Sequence, residues 1–132
     1  MIDVNKLLDE YEAHFKVLMT EKYGSDSFRK AEENIIKTLE SVRGHITDEH
    51  LGRLTKILDE YGGQEILIEL AYTLGALGTD KSFDYLLRMF HQSFEDGCEE
   101  YNTAMACLAE MDSLDKERTE KEGVYDHHML LM

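Results

Sequence analysis

Apolar residues recur at intervals of three and four along most of the chain, and the clearest pattern lies in its middle. There, one helical face carries Leu67, Leu70, Ala71, Leu74 and Leu77. Gly78 follows, where a helix end favours a residue that tolerates positive φ. Thr79 or Asp80 then provides an N-cap for a second helix, whose apolar face is Phe83, Leu86, Leu87, Phe90 and Phe94. The pattern predicts an antiparallel pair of helices at roughly 64–77 and 80–95.

The same periodicity predicts four further helices. The first ends near residue 24, the second at Gly44, the third at residues 62–63 after starting at Thr47, and the last near Asp112. Their inward-facing residues are Val4, Leu7, Leu8, Tyr11, Phe15, Leu18 and Met19; Phe28, Ala31, Ile35, Leu39 and Val42; Leu51, Leu54, Ile57, Leu58 and Tyr61; and Tyr101, Ala104, Met105, Leu108 and Met111. The rest is a charged segment and C-terminal tail (113–132), whose end docks as a short helix or frays.

A helix-pair unit of about 33 residues recurs along the chain. A shift of 32 residues places Thr47 and Asp48 on Thr79 and Asp80, and shifts of 34 and 35 superpose the apolar faces of the second, fourth and sixth predicted helices. Stacked helical repeats show such recurrence. The sequence therefore predicts one all-α domain over residues 1–132, with antiparallel helix pairs in a short α-solenoid or a compact bundle of six to seven helices.

The junction between the two middle helices resembles that of a known repeat family. The residues that carry the resemblance are Ala71-x-x-Leu74-Gly75-x-Leu77-Gly78-x-Asp80, followed by Phe83-x-x-Leu86-Leu87. They are similar to the inter-repeat junction of short HEAT-type repeats, over roughly residues 26–112. In that family the helix before the junction lines the concave side of the stack. Departures at Arg43 and Asp112 favour a compact HEAT-like bundle, and the resemblance implies protein binding. Similar short repeats occur in bilin-chromophore lyases, but beyond the repeat itself this sequence contains no feature that indicates lyase activity.

Charge narrows the classes of partner. The chain holds 28 acidic and 14 basic residues, a net charge of −14. This charge repels phosphate backbones and argues against nucleic-acid binding. Residues 63–132 carry 15 acids against 5 bases. Acidity of this kind fits solubility alone, and it fits capture of a basic protein partner equally well.

The sequence also bears on location and chemistry. No apolar run is long enough to span a membrane, and the first residues do not resemble a signal peptide, so we expect a cytoplasmic protein. Cys98 and Cys107 are predicted on opposite sides of one helix, too far apart to form a disulfide bond with each other.

Candidate chemical motifs are few. Metalloprotease, di-iron, nucleotide-loop and nucleophile-elbow motifs are absent, so we expect no catalysis, cofactor or metal. The segment Asp126-His127-His128 has metal-binding residue types, but adjacent helical histidines diverge by about 100°. It is interpreted as a solvated tail. His91 and Glu95 are interpreted as an ordinary helix-surface pair.

An acidic surface is the remaining candidate site. If the leucines of the fourth predicted helix face the core, its acidic residues and a tyrosine lie opposite, next to the polar side of the sixth, where Thr103 is also placed. The predicted partner-binding residues are Glu65, Glu69, Tyr72, Glu95, Asp96, Glu99, Glu100, Asn102 and Glu110. Carboxylates beside tyrosines suit the lysine and arginine side chains of a protein partner.

These features predict a non-catalytic protein-binding module. The specific hypothesis is an acidic inhibitor that masks a basic, nuclease-type toxin through a concave acidic surface. In size, charge and helix content the chain resembles the small acidic immunity proteins of bacterial polymorphic toxin systems. The alternative is a structural HEAT-like scaffold that forms a homo-oligomer through the C-terminal residues Met129, Leu130, Leu131 and Met132.

Overall fold

A computed structural model of the chain describes residues 2–56, 64–93 and 101–124. The helices in these ranges are α1 (Val4–Thr20), α2 (Asp26–Val42), α3 (Leu51–Thr55), α4 (Gln64–Leu77), α5 (Asp80–Gln92), α6 (Tyr101–Leu114) and α7 (Lys116–Lys121). A 3₁₀ turn, Asp48–His50, precedes α3, and the described ranges contain no β-strand. The prediction of an all-α fold with six to seven helices is confirmed. None of the described helices is long and apolar enough to cross a membrane.

The helices pack in two layers. The even-numbered layer consists of α2, α4 and α6, because α4 packs against both α2 and α6. The odd-numbered layer consists of α1, α3, α5 and α7: α1 packs against α2, α5 against α4 and α6, and α7 against α6. Side-chain pairs join neighbours within the odd-numbered layer, Arg53 of α3 to Glu12 of α1 and Arg118 of α7 to Asp84 of α5. The layers bury one core between them.

The predicted core of α2 is confirmed. All five of its predicted inward residues are buried: Phe28, Ala31, Ile35, Leu39 and Val42. In α4 the leucines at 67, 70 and 74 are buried as predicted, and Ile66 and Thr73 are buried as well. This broader burial follows from the position of α4, which packs against α2, α5 and α6.

Two helix starts that lie 32 residues apart use the same cap. The backbone N–H of Thr47 donates to Nδ1 of His50, and the N–H of Thr79 donates to Oγ of Ser82, both at 2.9 Å. The Thr79 hydroxyl also donates to Oδ1 of Asp48 at 2.5 Å. The start of α5 is therefore tied to the 3₁₀ turn, and the recurrence in the sequence corresponds to a recurrence of local structure.

The even-numbered layer also keeps a regular spacing. Glu110 of α6 lies against Gly75 of α4, and Leu114 lies against Gly78. The later residue of α4 contacts the later residue of α6, so the two helices run in the same direction. The contacting residues are 35–36 positions apart in the sequence. This offset is close to the shift that superposes their sequences.

Three predictions about helix ends and faces are wrong. The first helix ends at Thr20, because Glu21 is already extended (φ −90°, ψ 154°). Met19, predicted to face inward, is 49% exposed near that end. Thr103, predicted on the polar side of α6, is fully buried, because α6 packs against three helices, α4, α5 and α7.

Part of the charged segment folds as α7. The Asp115 carboxylate caps this helix by accepting from the Arg118 N–H at 3.0 Å. The Arg118 guanidinium lies 4.1 Å from the centroid of the Phe83 ring and pairs with Asp84. Helix α7 therefore lies within the predicted charged segment, and the short helix predicted for the tail falls on residues outside the described ranges. Features outside the described residues are Ile57, Leu58, Tyr61, the helix end at 62–63, Phe94, Cys98 and residues 125–132.

Candidate protein-binding surface

The structure describes five of the nine predicted partner-binding residues. Glu65 and Asn102 are exposed, Glu69 and Glu110 are partly buried, and Tyr72 is 40% exposed. The other four lie outside the described residues: Glu95, Asp96, Glu99 and Glu100.

The exposed face of α4 is centred on Tyr72. Glu65, Glu69 and Tyr72 follow one another at intervals of four and three, which places them on one stripe of the helix. Leu70 and Leu74, on the other side, are fully buried. Since α4 is the middle helix of the even-numbered layer, the Tyr72 ring stands at the centre of that layer's surface.

Arg43 extends from the end of α2 to this stripe. Its Nη2 donates to Oε2 of Glu69 at 2.8 Å and to the Glu69 carbonyl oxygen at 3.2 Å. Its Nε donates to Oγ1 of Thr73 at 3.3 Å, and its Cζ lies 5.8 Å from the centroid of the Tyr72 ring. The Glu69 carboxylate is therefore already paired, and the predicted groove is not uniformly acidic.

Glu110 approaches the same stripe from α6. It lies in the space that Gly75 leaves open, since a Cβ added to Gly75 would stand 1.9 Å from Oε2 of Glu110. Partial burial raises the pKa of the Glu110 carboxyl above its ordinary value, while the nearby charge of Arg43 acts in the opposite direction. No described residue donates a hydrogen bond to this carboxylate.

The result is a surface with opposite charges on its two sides. Tyr72 has Arg43, paired with Glu69, on its α2 side, and Glu110, which receives no hydrogen bond from a described residue, on its α6 side. We call the set Arg43, Glu65, Glu69, Tyr72 and Glu110 the Tyr72 surface. The helical period predicted its α4 members, whereas the contacts of Arg43 and Glu110 depend on how the helices pack.

Other chemistry is sparse in the described residues. They contain no group of three or more His, Cys, Asp or Glu that could hold a metal ion. Cys107 is fully buried, and burial together with the Glu110 charge raises the pKa of its thiol to about 12. The thiol is therefore protonated at neutral pH and packs as a small apolar group. Glu95 and the segment Asp126-His127-His128 lie outside the described residues.

Two clefts open on the odd-numbered layer. One, of about 430 Å³, is lined by Asp48, Leu51, Gly52, Lys81, Asp84, Tyr85 and Arg88. The other, of about 550 Å³, is lined by Glu12, Phe15, Lys16, Met19, Thr20 and Lys56. Both carry mixed charge, and neither includes a residue of the Tyr72 surface.

No protein-family model matches the chain, and neither a curated protein nor a solved structure matches it.

We expect Gly75→Ala to move the Glu110 side chain into solvent. The new methyl group would overlap the carboxyl end of Glu110, which is flexible and can rotate away. The pKa of Glu110 should then fall toward its ordinary value. The free energy of unfolding should change by no more than about 1 kcal/mol, because alanine is the better helix former by about that amount.

A ¹³C NMR titration of the Glu110 carboxyl carbon and urea unfolding measure the two effects. Gly52→Ala is the matched control, because a Cβ at Gly52 in α3 meets nothing within 4 Å. An unchanged Glu110 pKa in the Gly75 variant would contradict the packing of Glu110 on α4.

Proposed function

We propose that the chain is a non-catalytic module that binds a basic protein through the Tyr72 surface. The observation that supports this function is Tyr72 itself, an aromatic side chain 40% exposed at the centre of a helix layer and flanked by glutamates. Tyrosine is enriched among the residues that dominate binding energy, and charged neighbours add orientation and association rate.

The specific form of the proposal is an inhibitor or immunity protein that masks a basic, nuclease-type toxin in a bacterial cytoplasm. An enzyme site built for a polyanion attracts an acidic inhibitor, and the net charge of −14 suits that role. In this proposal the helix pairs are a short HEAT-type stack with the even-numbered layer toward the partner. The scaffold alternative depends on residues 129–132, which lie outside the described ranges.

The test begins with capture of partners from a lysate of the source organism, at low and moderate salt, with identification by mass spectrometry. The captured protein is then purified and its activity is measured with and without this chain. We expect one basic protein, retained better at low salt, whose activity falls as the chain saturates it. An activity that stays unchanged at saturation, or the absence of a basic partner, contradicts the proposed inhibitor.

Charge reversal identifies the surface. Glu65→Lys should lower the association rate constant about threefold or more at low salt, because an exposed charge of the surface steers the partner. Glu120→Lys is the control, because Glu120 is also exposed but lies on α7 of the other layer. Equal effects of the two variants would show that only net charge matters and that the Tyr72 surface is not the binding site.

A further inference from the structure

We infer that the Tyr72 surface takes an arginine or lysine side chain of its protein partner on the α6 side of Tyr72, with Glu110 as the counter-ion. This inference rests on the proposed function. It specifies which side of the surface contacts the positive charge of the partner. An evenly acidic groove would not favour either side.

The α2 side of Tyr72 is already occupied by a cation. The Arg43 guanidinium pairs with Oε2 of Glu69 at 2.8 Å and lies 5.8 Å from the Tyr72 ring centroid. A second cation there would meet like charge and would compete for a carboxylate that has a partner. The charge of Arg43 therefore directs an incoming cation away from the α2 side.

The α6 side offers a carboxylate that has no hydrogen-bond partner among the described residues. Glu110 receives no hydrogen bond from a described residue, although it is partly buried in the notch above Gly75. Gly75 follows Tyr72 by three positions in α4, so the notch and the ring share one face of that helix. Residues three apart on a helix are neighbours, so a cation bound by Glu110 at the notch would lie beside the Tyr72 side chain as well.

Partial burial makes this carboxylate a better binding group than the exposed glutamates. Glu110 has already lost part of its hydration in the free protein, because its carboxyl is partly buried against Gly75, and this burial also raises the pKa of the carboxyl. A cation that binds beside it therefore removes less additional water than one that binds at Glu65. The charged group that acts on Glu110 from the neighbouring layer position is Arg43, and the nearby Cys107 thiol is neutral at pH 7.

The first test uses a small probe and does not need the partner. The probe is Nα-acetyl-L-arginine methylamide, and its citrulline analogue is the uncharged control of nearly equal shape. We expect the arginine probe to shift the NMR signals of the Tyr72 ring and the Glu110 carboxyl together, and to shift the Glu120 carboxyl less. Equal shifts from both probes, or equal shifts at Glu110 and Glu120, overturn the inference.

A variant then measures the contribution of the counter-ion. Glu110→Gln should raise the Kd of the arginine probe about two- to fivefold, the range expected for a partly exposed ion pair. Glu120→Gln should leave the Kd unchanged, and circular dichroism should show equal helix content in both variants. An unchanged Kd for Glu110→Gln overturns the inference.

The same variants separate this inference from the proposed function. If the captured partner depends on Tyr72 but binds Glu110→Gln as tightly as the unchanged chain, the proposed function stands and the inference is wrong. If no basic protein is captured but the probe still selects Glu110 and Tyr72, the cation site stands and the proposed function is wrong.

Discussion

Phe83→Ala is expected to lower the free energy of unfolding by about 3–5 kcal/mol. Phe83 is only 2% exposed and fills the core where α5 packs against α4 and α6. The Cζ atom of Arg118, in α7, lies 4.1 Å from the centroid of the Phe83 ring. Removing the ring therefore leaves a cavity in the core and takes away the support of α7, a loss comparable with much of the total stability of a typical domain.

Urea unfolding followed by circular dichroism measures this loss, and amide hydrogen exchange at Thr119 reports on α7 separately. Arg118→Ala is the comparison, because it removes the contact of α7 with Phe83 and Asp84 but leaves the core filled. We expect that variant to cost about 1 kcal/mol. If the two variants were equally destabilising, the buried role of the Phe83 ring would be wrong.

Tyr72→Ala is expected to raise the Kd for the captured partner about 30-fold or more, the effect of losing a binding hot spot of at least about 2 kcal/mol. The same variant should change the free energy of unfolding by less than about 1 kcal/mol, because the side chain is 40% exposed and lies outside the core. Affinity and stability should thus respond very differently to this one substitution.

Titration calorimetry of the partner with each variant checks the prediction. Tyr72→Phe keeps the ring and should bind almost as tightly as the unchanged chain. Tyr23→Ala is the matched control, because Tyr23 is 83% exposed but lies in the turn between α1 and α2. A Tyr72→Ala variant that binds no more weakly than Tyr23→Ala would show that the partner does not use this surface.

The helix boundaries that the sequence predicts best are those with strong local signals. Helix α4 ends at Leu77 as predicted, because Gly78 adopts φ +69° and Thr79 at once caps α5. The apolar face of α2 was predicted residue by residue, since that helix has a single strong stripe. By contrast, α6 packs against three helices, so more than one of its faces is buried. The apolar periodicity predicts only one buried face and therefore placed Thr103 on the polar side.

The candidate site was predicted only in part, for a physical reason. The exposure of Glu65 and Tyr72 follows from the helical period, which is local. The pairing of Arg43 with Glu69 joins residues 26 apart, and the packing of Glu110 on Gly75 joins residues 35 apart. Such contacts depend on how the helices pack, so a cation appeared in a groove that the acidic pattern alone predicted to be negative.

Helix α7 forms in a stretch whose charged composition does not suggest a packed helix. The stretch after Asp115 is nearly all charged, which is typical of a solvated segment. The sequence does contain a local signal for the start of this helix, because the Asp115 side chain can accept a hydrogen bond from the backbone N–H three residues later. The contact of Arg118 with an aromatic ring could not be predicted from the sequence, since it depends on the packing that brings Phe83 close to α7.

The two-layer packing has a consequence for how fast the chain folds. Its main helix contacts join either successive helices or alternate ones, such as α4 and α6, so these contacts span no more than about one helix pair of the chain. Chains with such low contact order search fewer arrangements before the native contacts form, and they fold in about microseconds to milliseconds. Among the described helices, α1 and α7 lie at the two ends of the odd-numbered layer, and end helices are where such a stack begins to open.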